Sequence, residues 1–174
     1  MKQPTLNTER LFLRPLFLAD SARIQELAGN WAVAKTTLSI PHPYKDGMAE
    51  KWILSLKDVW NIKSGVVYGV LLKADKEIIG VVSLVSIMGK KAELGYWIGE
   101  QYWGEGYCTE ATEALMQLAS KQLQITNFVA EHLTENPASG KVMLKLGMVH
   151  LQSVERADRN GKPVQIETYE TNHA

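Results

Sequence analysis

Residues 98–111 read IGEQYWGEGYCTEA and predict a glycine-containing turn between a strand and a helix. The strand ends near Gly99, Gly104 and Gly106 form the turn, and the helix begins at Cys108. The first turn of a helix leaves backbone N–H groups without partners, and the helix dipole adds a partial positive charge there. Such a turn is suited to bind phosphate or another anion. An ordinary glycine-assisted turn is the alternative, because isolated glycine motifs are common.

The spacing of the glycines argues against two well-known phosphate-binding motifs. A Walker loop requires Lys and then Ser or Thr after its second glycine, whereas Gly104 is followed by Glu105 and Gly106. A dinucleotide fingerprint requires a third glycine at the position of Thr109. A nucleotide-binding module is therefore only a weak alternative.

The elements around this turn predict a mixed α/β fold. Strands at 65–72, 78–87 and 92–99 predict an antiparallel meander. The helix at 108–123 and the strand at 126–133 then form a crossover, which implies a parallel neighbour. Further strands are predicted at 11–15, 148–154 and 164–171, and further helices at 18–27, 49–60 and 137–146. We expect one domain over residues 1–174, with a mostly antiparallel central sheet of about seven strands flanked by helices.

The composition excludes several classes of protein. The chain has 174 residues, of which 45% are hydrophobic, and its 19 basic and 19 acidic residues leave no net charge. Such a chain can bury a core but offers no field that attracts nucleic acid. The single cysteine, Cys108, allows no internal disulfide, and no zinc-binding spacing occurs. No apolar stretch approaches the roughly 20 residues that span a bilayer. We expect a cytoplasmic protein without a metal, a membrane or a nucleic-acid partner.

A second motif follows the crossover. Residues 136–148 read NPASGKVMLKLGM and predict a short helix that begins at Pro137 and stops at Gly147. Together, the Q-x-x-G-x-G segment from Gln101 to Gly106 and the N-x-x-S segment from Asn136 to Ser139 resemble the GNAT N-acetyltransferase superfamily. Residues 92–98 (AELGYWI) and 8–15 (TERLFLRP) resemble the RimJ/RimL subgroup, which acetylates the N-termini of ribosomal proteins. The resemblance extends over about residues 8–171.

The resemblance implies that acetyl-CoA is the acetyl donor. In this family the strands matching 92–99 and 126–133 splay apart, and the pantetheine arm bonds to their exposed backbone groups like an added strand. Glu105 departs from the pattern because its charge would repel a pyrophosphate, so we expect its carboxylate to point to solvent. The residues implied as cofactor-binding are Ile98, Gln101, Trp103, Gly104, Glu105, Gly106, Tyr107, Asn136 and Ser139.

Acetyl transfer to an amine requires an unprotonated nitrogen, a polarised thioester carbonyl and a proton for the departing thiolate. Glu93 is the candidate base, acting directly or through water; the alternative is an edge or turn carboxylate that follows two lysines. Ser139 matches the family residue that hydrogen-bonds the cofactor sulfur; the alternative is helix capping, which Asn136 could also supply. Cys108 is expected to pack rather than to react, because the family transfers the acetyl group directly.

The acceptor pocket is expected to include Trp31, Tyr44 and Trp97. The region 31–47 contains only one acidic residue, Asp46, beside Lys35 and Lys45, and so is poorly suited to a polycation. We therefore expect the acceptor to be the N-terminal α-amine of a peptide or protein. A small-molecule amine is the first alternative, and a catalytically silent CoA-binding sensor or scaffold is the second. The sequence leaves a homodimer open.

Overall fold

The structure, a computed structural model, describes residues 2–171. Its strands are β1 (Leu6–Asn7), β2 (Leu11–Arg14), β3 (Val66–Leu72), β4 (Ile78–Met88), β5 (Lys91–Ile98), β6 (Asn127–Leu133), β7 (Met148–Ala157) and β8 (Pro163–Thr171). Its α-helices are α1 (Ser21–Gly29), α2 (Trp31–Ala34), α3 (Met48–Ser55), α4 (Tyr107–Gln122) and α5 (Pro137–Lys145).

All eight strands belong to one sheet, in the order β1-β2-β3-β4-β5-β6-β8-β7. Neighbouring strands are antiparallel except β5 and β6, which are parallel and are connected by α4. The predicted mixed, mostly antiparallel sheet is confirmed. Because a parallel pair needs a long connection, the crossover brings the start of α4 to the carboxyl end of β5, where the glycine turn lies.

Helices cover the two faces of the sheet. On one face, Leu115 of α4 packs with Leu84 and Leu94, and each of these side chains is at least 96% buried. On the other face, Ile24 of α1 and Ile53 of α3 pack against the sheet. Burying a side chain of this size stabilises the fold by about 1.5–3 kcal/mol. The alternation along β5 thus directs Leu94 and Tyr96 toward α4, and Glu93 and Trp97 toward α1 and α3.

The expected sheet of about seven strands is confirmed; it has eight, because the two-residue strand β1 also pairs with β2. One expectation about a helix was wrong. The apolar stripe that predicted a helix to Trp60 continues beyond the helix itself, since α3 ends at Ser55. There the Ser55 hydroxyl donates to the Trp52 carbonyl, which competes with continued helical bonding, and the chain proceeds through turns.

No helix within residues 2–171 is both long enough and apolar enough to cross a membrane.

Candidate active site

β5 and β6 pair over only half of their length. Four residue pairs join them, from Lys91 with Asn127 to Leu94 with Ala130. Beyond that point β5 remains paired with β4, and β6 remains paired with β8. The edges of residues 95–98 and 131–133 that face each other therefore lack a strand partner. The predicted splay between these two strands is present.

A cavity of about 1030 Å³ lies at the splay. It reaches from α1, α3 and the segment after α2 on one side of the sheet to the starts of α4 and α5 on the other. The sequence-predicted site residues that line it are Tyr44, Glu93, Trp97, Ile98, Trp103, Gly104, Gly106, Tyr107, Asn136 and Ser139. Residues from separate sequence motifs therefore meet in one place.

Three predicted site residues do not line the cavity. Trp31 has 54% of its surface exposed, and its ring contacts that of His42 in a tilted arrangement with 4.8 Å between the ring centroids. Gln101 and Glu105 are both exposed on the surface of the glycine turn. The expected solvent-facing position of Glu105 agrees with this placement.

The glycine turn presents unpaired N–H groups to the cavity. Gly104 and Gly106 have φ angles of +81° and +80°, a region that residues with a Cβ rarely adopt. Gly106 is the N-cap of α4, and no side chain caps this helix terminus. The first-turn N–H groups of Tyr107, Cys108 and Thr109 are consequently free to bind an anion.

Arg10, which lies between β1 and β2, contacts this glycine turn through its guanidinium group. Its Nη1 donates to the Glu105 carbonyl at 2.9 Å, and its guanidinium lies 4.5 Å from the ring centroid of Tyr107. Its Nε donates to Glu110 at 2.7 Å, and Glu110 also accepts from the Thr8 hydroxyl. Although burial opposes the effect, these hydrogen bonds lower the pKa of Glu110. Sequence analysis missed Arg10, because its partners follow about 100 positions later.

These features fit acetyl-CoA. Opposed strand edges without partners suit the amides of a pantetheine arm, and the uncapped helix terminus suits a pyrophosphate. A Cβ built on Gly104 has no atom within 4 Å, so the turn leaves open space where a phosphate would approach.

Glu93 lies in the middle of the sheet and faces the cavity. Burial, followed by the charge of nearby Glu131, raises its pKa above that of an ordinary glutamate. Its Oε2 accepts a hydrogen bond of 3.4 Å from the Ser86 hydroxyl. Glu93 is thus not a turn carboxylate, and its raised pKa suits a group that accepts a proton near neutral pH.

A second carboxylate, Glu131 of β6, lines the same cavity and was missed by sequence analysis. Its Oε1 accepts from Nη2 of Arg156 in β7 at 2.6 Å. The alternation along β6 offered a signal, since Phe128 and Ala130 are buried while Glu131 faces the other way. With a parallel β5 neighbour, that alternation places Glu131 and Glu93 on one face.

Ser139, in the first turn of α5, is joined to Tyr96 of β5. The Ser139 hydroxyl donates to the Tyr96 oxygen at 3.1 Å, and the Tyr96 hydroxyl donates to the Ser139 carbonyl at 3.0 Å. Burial raises the pKa of Tyr96 well above its usual range, so its proton stays in place. Tyr96 was also missed, although a tyrosine on an apolar strand face usually requires a hydrogen-bond partner.

Asn136 is the N-cap residue of α5, but its side chain makes no capping hydrogen bond. Its side-chain amide donates to the Thr36 carbonyl at 3.2 Å and thereby ties the chain after α2 to the start of α5. Cys108 lies on the cavity wall, where burial raises the pKa of its thiol to about 12. A thiol with this pKa is protonated at neutral pH and is a poor nucleophile.

Comparisons with known proteins agree with this geometry. Residues 10–149 match the family model described as acetyltransferase (GNAT) domain. A Bacillus subtilis (strain 168) protein, the uncharacterized N-acetyltransferase YoaA, is 26% identical over 170 residues, which cover 95% of each chain. The ribosomal-protein-serine acetyltransferase of Escherichia coli (strain K12) is 34% identical over 77 residues, which cover 43% of each chain.

The fold is also found in a solved structure of RimL, a ribosomal L7/L12 alpha-N-protein acetyltransferase, in complex with coenzyme A. The two folds superpose with a TM-score of 0.85 at 20% identity, covering 96% of this chain and 97% of the other. The resemblance stated from the two sequence motifs is thereby confirmed. A matched family model over most of the chain, a shared fold and a cavity suited to acetyl-CoA lead to one conclusion: this chain belongs to the GNAT family and is an acetyl-CoA-dependent acetyltransferase.

Proposed function

We propose that the enzyme acetylates the N-terminal α-amine of a peptide or protein. The main support is Glu93, a half-buried carboxylate with a raised pKa that faces the cavity at the splay. An α-amine has an ordinary pKa of about 7.7–8.0, so one carboxylate base is sufficient to free it near neutral pH. The extended residues that follow such an amine suit a cleft with open strand edges and the aromatic side chains of Tyr44 and Trp97.

In this proposal each residue has one task. Glu93 accepts a proton from the acceptor ammonium, and the freed amine nitrogen attacks the thioester carbonyl, which acetyl-CoA supplies. Unpaired backbone N–H groups along the diverging edge of β5 polarise that carbonyl. The N–C bond forms, the C–S bond breaks, and the electron pair leaves on sulfur. The amine nitrogen loses a second proton as the amide forms, and the thiolate takes up one proton. The step is therefore balanced.

Ser139 and Tyr96 are proposed to stabilise the departing sulfur. In the structure the Ser139 hydroxyl donates its single proton to the Tyr96 oxygen. To stabilise the thiolate, this hydroxyl turns from Tyr96 toward the sulfur. The position beside the first turn of α5 adds a partial positive charge. The family's known relatives that act on ribosomal proteins support a protein acceptor, and such an acceptor would place this enzyme in the cytoplasm.

The test is an acceptor screen with acetyl-CoA and a thiol-detecting reagent. The acceptors are short peptides with free N-termini, the same peptides with blocked N-termini, a lysine side-chain amine, spermidine, an aminoglycoside and free amino acids. We expect the highest kcat/KM for free N-terminal peptides and no turnover for the blocked ones. A clear preference for a small amine would contradict the proposal, and tight CoA binding without turnover of any amine would indicate a sensor or scaffold.

A further inference from the structure

We infer that Arg156 sets the charge selectivity of the acceptor site. By holding Glu131 in an ion pair, it leaves Glu93 as the one carboxylate available to an ammonium group. The enzyme is thereby restricted to acceptors with a single amine and discriminates against polyamines. This inference rests on the proposed function and narrows its acceptor class.

The sheet brings the two carboxylates together. Glu93 is the register partner of Val129, so Glu131 lies one strand across and two residues further along. With about 4.8 Å between strands and about 3.3 Å per residue, such positions lie at least about 8 Å apart, because β6 diverges from β5 beyond Ala130. Both residues line the same cavity. Two free carboxylates at this spacing would bind two ammonium groups joined by a short alkyl chain, which describes a polyamine.

Arg156 lies outside the cavity lining but pairs with Glu131 as a second ammonium group would. Its Nη2 lies 2.6 Å from Glu131 Oε1, and its positive charge also acts on Glu93. The arginine side chain is 51% exposed and that of Glu131 only 22%, so the cation lies on the solvent side of the pair. Glu93, in contrast, forms no ion pair with any residue from 2 to 171.

The other charged groups around the cavity reinforce this selectivity. Lys51 lines it from α3, and Lys141 and Lys145 line it from α5. No further aspartate or glutamate among the described residues lines the cavity. If Arg156 loses its charge, Glu131 becomes a second unpaired anion beside Glu93. The electrostatic potential in the cavity then becomes more negative, which favours the binding of a polycation.

The experiment measures the ratio of kcat/KM for spermidine to kcat/KM for an N-terminal serine peptide, at low and high salt. We expect Arg156→Gln to raise this ratio about tenfold at low salt and less at high salt. Arg156→Lys, which keeps the charge, should raise it much less. Adding Glu131→Gln to Arg156→Gln should return the ratio to that of the wild type.

Lys162→Gln provides the matched control, since Lys162 lies on the same β7–β8 hairpin but, unlike Arg156, does not pair with Glu131. It removes one positive charge and should leave the ratio unchanged. An unchanged ratio in Arg156→Gln, or an equal shift in Lys162→Gln, would overturn the inference. A wild-type preference for spermidine would contradict the proposed function instead, while the change caused by Arg156→Gln would still decide the role of the arginine.

A second measurement requires no acceptor. The side-chain carboxyl carbon of Glu93 can be titrated by ¹³C NMR in the acetyl-CoA complex. We expect Arg156→Gln to raise the titration midpoint of Glu93 and Glu131→Gln to lower it. Midpoints that stay fixed in both variants would show that the three charges are not coupled and would overturn the inference.

Discussion

Arg10 donates a hydrogen bond from its guanidinium to the carbonyl of Glu105, at 2.9 Å, in the turn that faces the proposed pyrophosphate site. We expect Arg10→Gln to loosen this turn and to raise the KM for acetyl-CoA about tenfold, because a charge-assisted hydrogen bond is worth about 1.5–3 kcal/mol. With acetyl-pantetheine, which has no pyrophosphate, the same variant should behave like the wild type. Lys121→Gln, at the far end of α4, is the control for lost charge. An equal loss with both donors would contradict a role at the pyrophosphate.

Gly104→Ala separates backbone strain from ligand contact. Gly104 and Gly161 have φ angles of +81° and +78°, and a Cβ on either would have no atom within 4 Å. Both alanine variants should therefore lose stability similarly, by about 1–2 kcal/mol. Only Gly104→Ala should also weaken acetyl-CoA binding, measured by calorimetry. Equal affinities in the two variants would remove Gly104 from the proposed site.

Glu93→Gln should lower kcat strongly and flatten its rise with pH, because the base is lost while its shape is kept. The same change should stabilise the fold at neutral pH. Burial raises the pKa of Glu93, so the folded protein binds this proton more tightly than the unfolded chain does. Stability is therefore lost as pH rises from the ordinary value of 4.5 through the raised one, and the advantage of Gln should disappear below that range.

Chemical denaturation across pH and steady-state kinetics measure both effects. Glu113→Gln, an exposed change on α4, is the control and should alter neither quantity. A Glu93→Gln variant with wild-type kcat would contradict the role of Glu93 as the base.

Ser139→Ala and Tyr96→Phe should each lower kcat with little change in the affinity for acetyl-CoA. Since the two hydroxyls are joined at 3.1 Å, we expect the double variant to lose little more than either single variant. Pre-steady-state kinetics of thiol release check this expectation. Fully additive losses would show that the two residues act separately.

Cys108 should resist alkylation and disulfide reagents in the native protein at pH 8, because burial raises the pKa of its thiol to about 12. Cys108→Ala should keep most of the activity. Rapid labelling of the wild type, or a folded but inactive alanine variant, would instead indicate an acyl-cysteine route.

Local sequence signals predicted much of the fold. The Val-rich and Ile-rich segments gave β3 and β4, and Pro137 and Gly147 marked the ends of the α5 region. Strand β1 has only two residues, Leu6 and Asn7, which is too short for any periodic pattern. α3 ended early because periodicity reports the apolar face of a segment and not the hydrogen bonding at its last turn.

The residues around the cavity were predictable where they belong to contiguous motifs or, as for Tyr44, to the region expected to border the pocket. Gly104, Gly106 and Ser139 lie in such motifs. Arg10 contacts the carbonyl of Glu105, and Arg156 contacts the carboxylate of Glu131. These contacts join distant parts of the chain, so predicting them requires knowledge of how all the strands pair. Trp31 is the opposite case: an aromatic residue near the right loop was expected in the pocket, but its ring contacts His42 at the surface and it does not line the cavity.

Only four residue pairs join β5 to β6, where the two halves of the sheet, β1–β5 and β6–β8, meet, whereas eight pairs join β4 to β5 and five join β6 to β8. A donor molecule that bonded to both free edges would act as a cross-link between these halves. The enzyme would then be mechanically stiffer when loaded than when empty, and its working state would depend on the supply of its own substrate. When acetyl-CoA is scarce, the enzyme would therefore be more flexible as well as inactive.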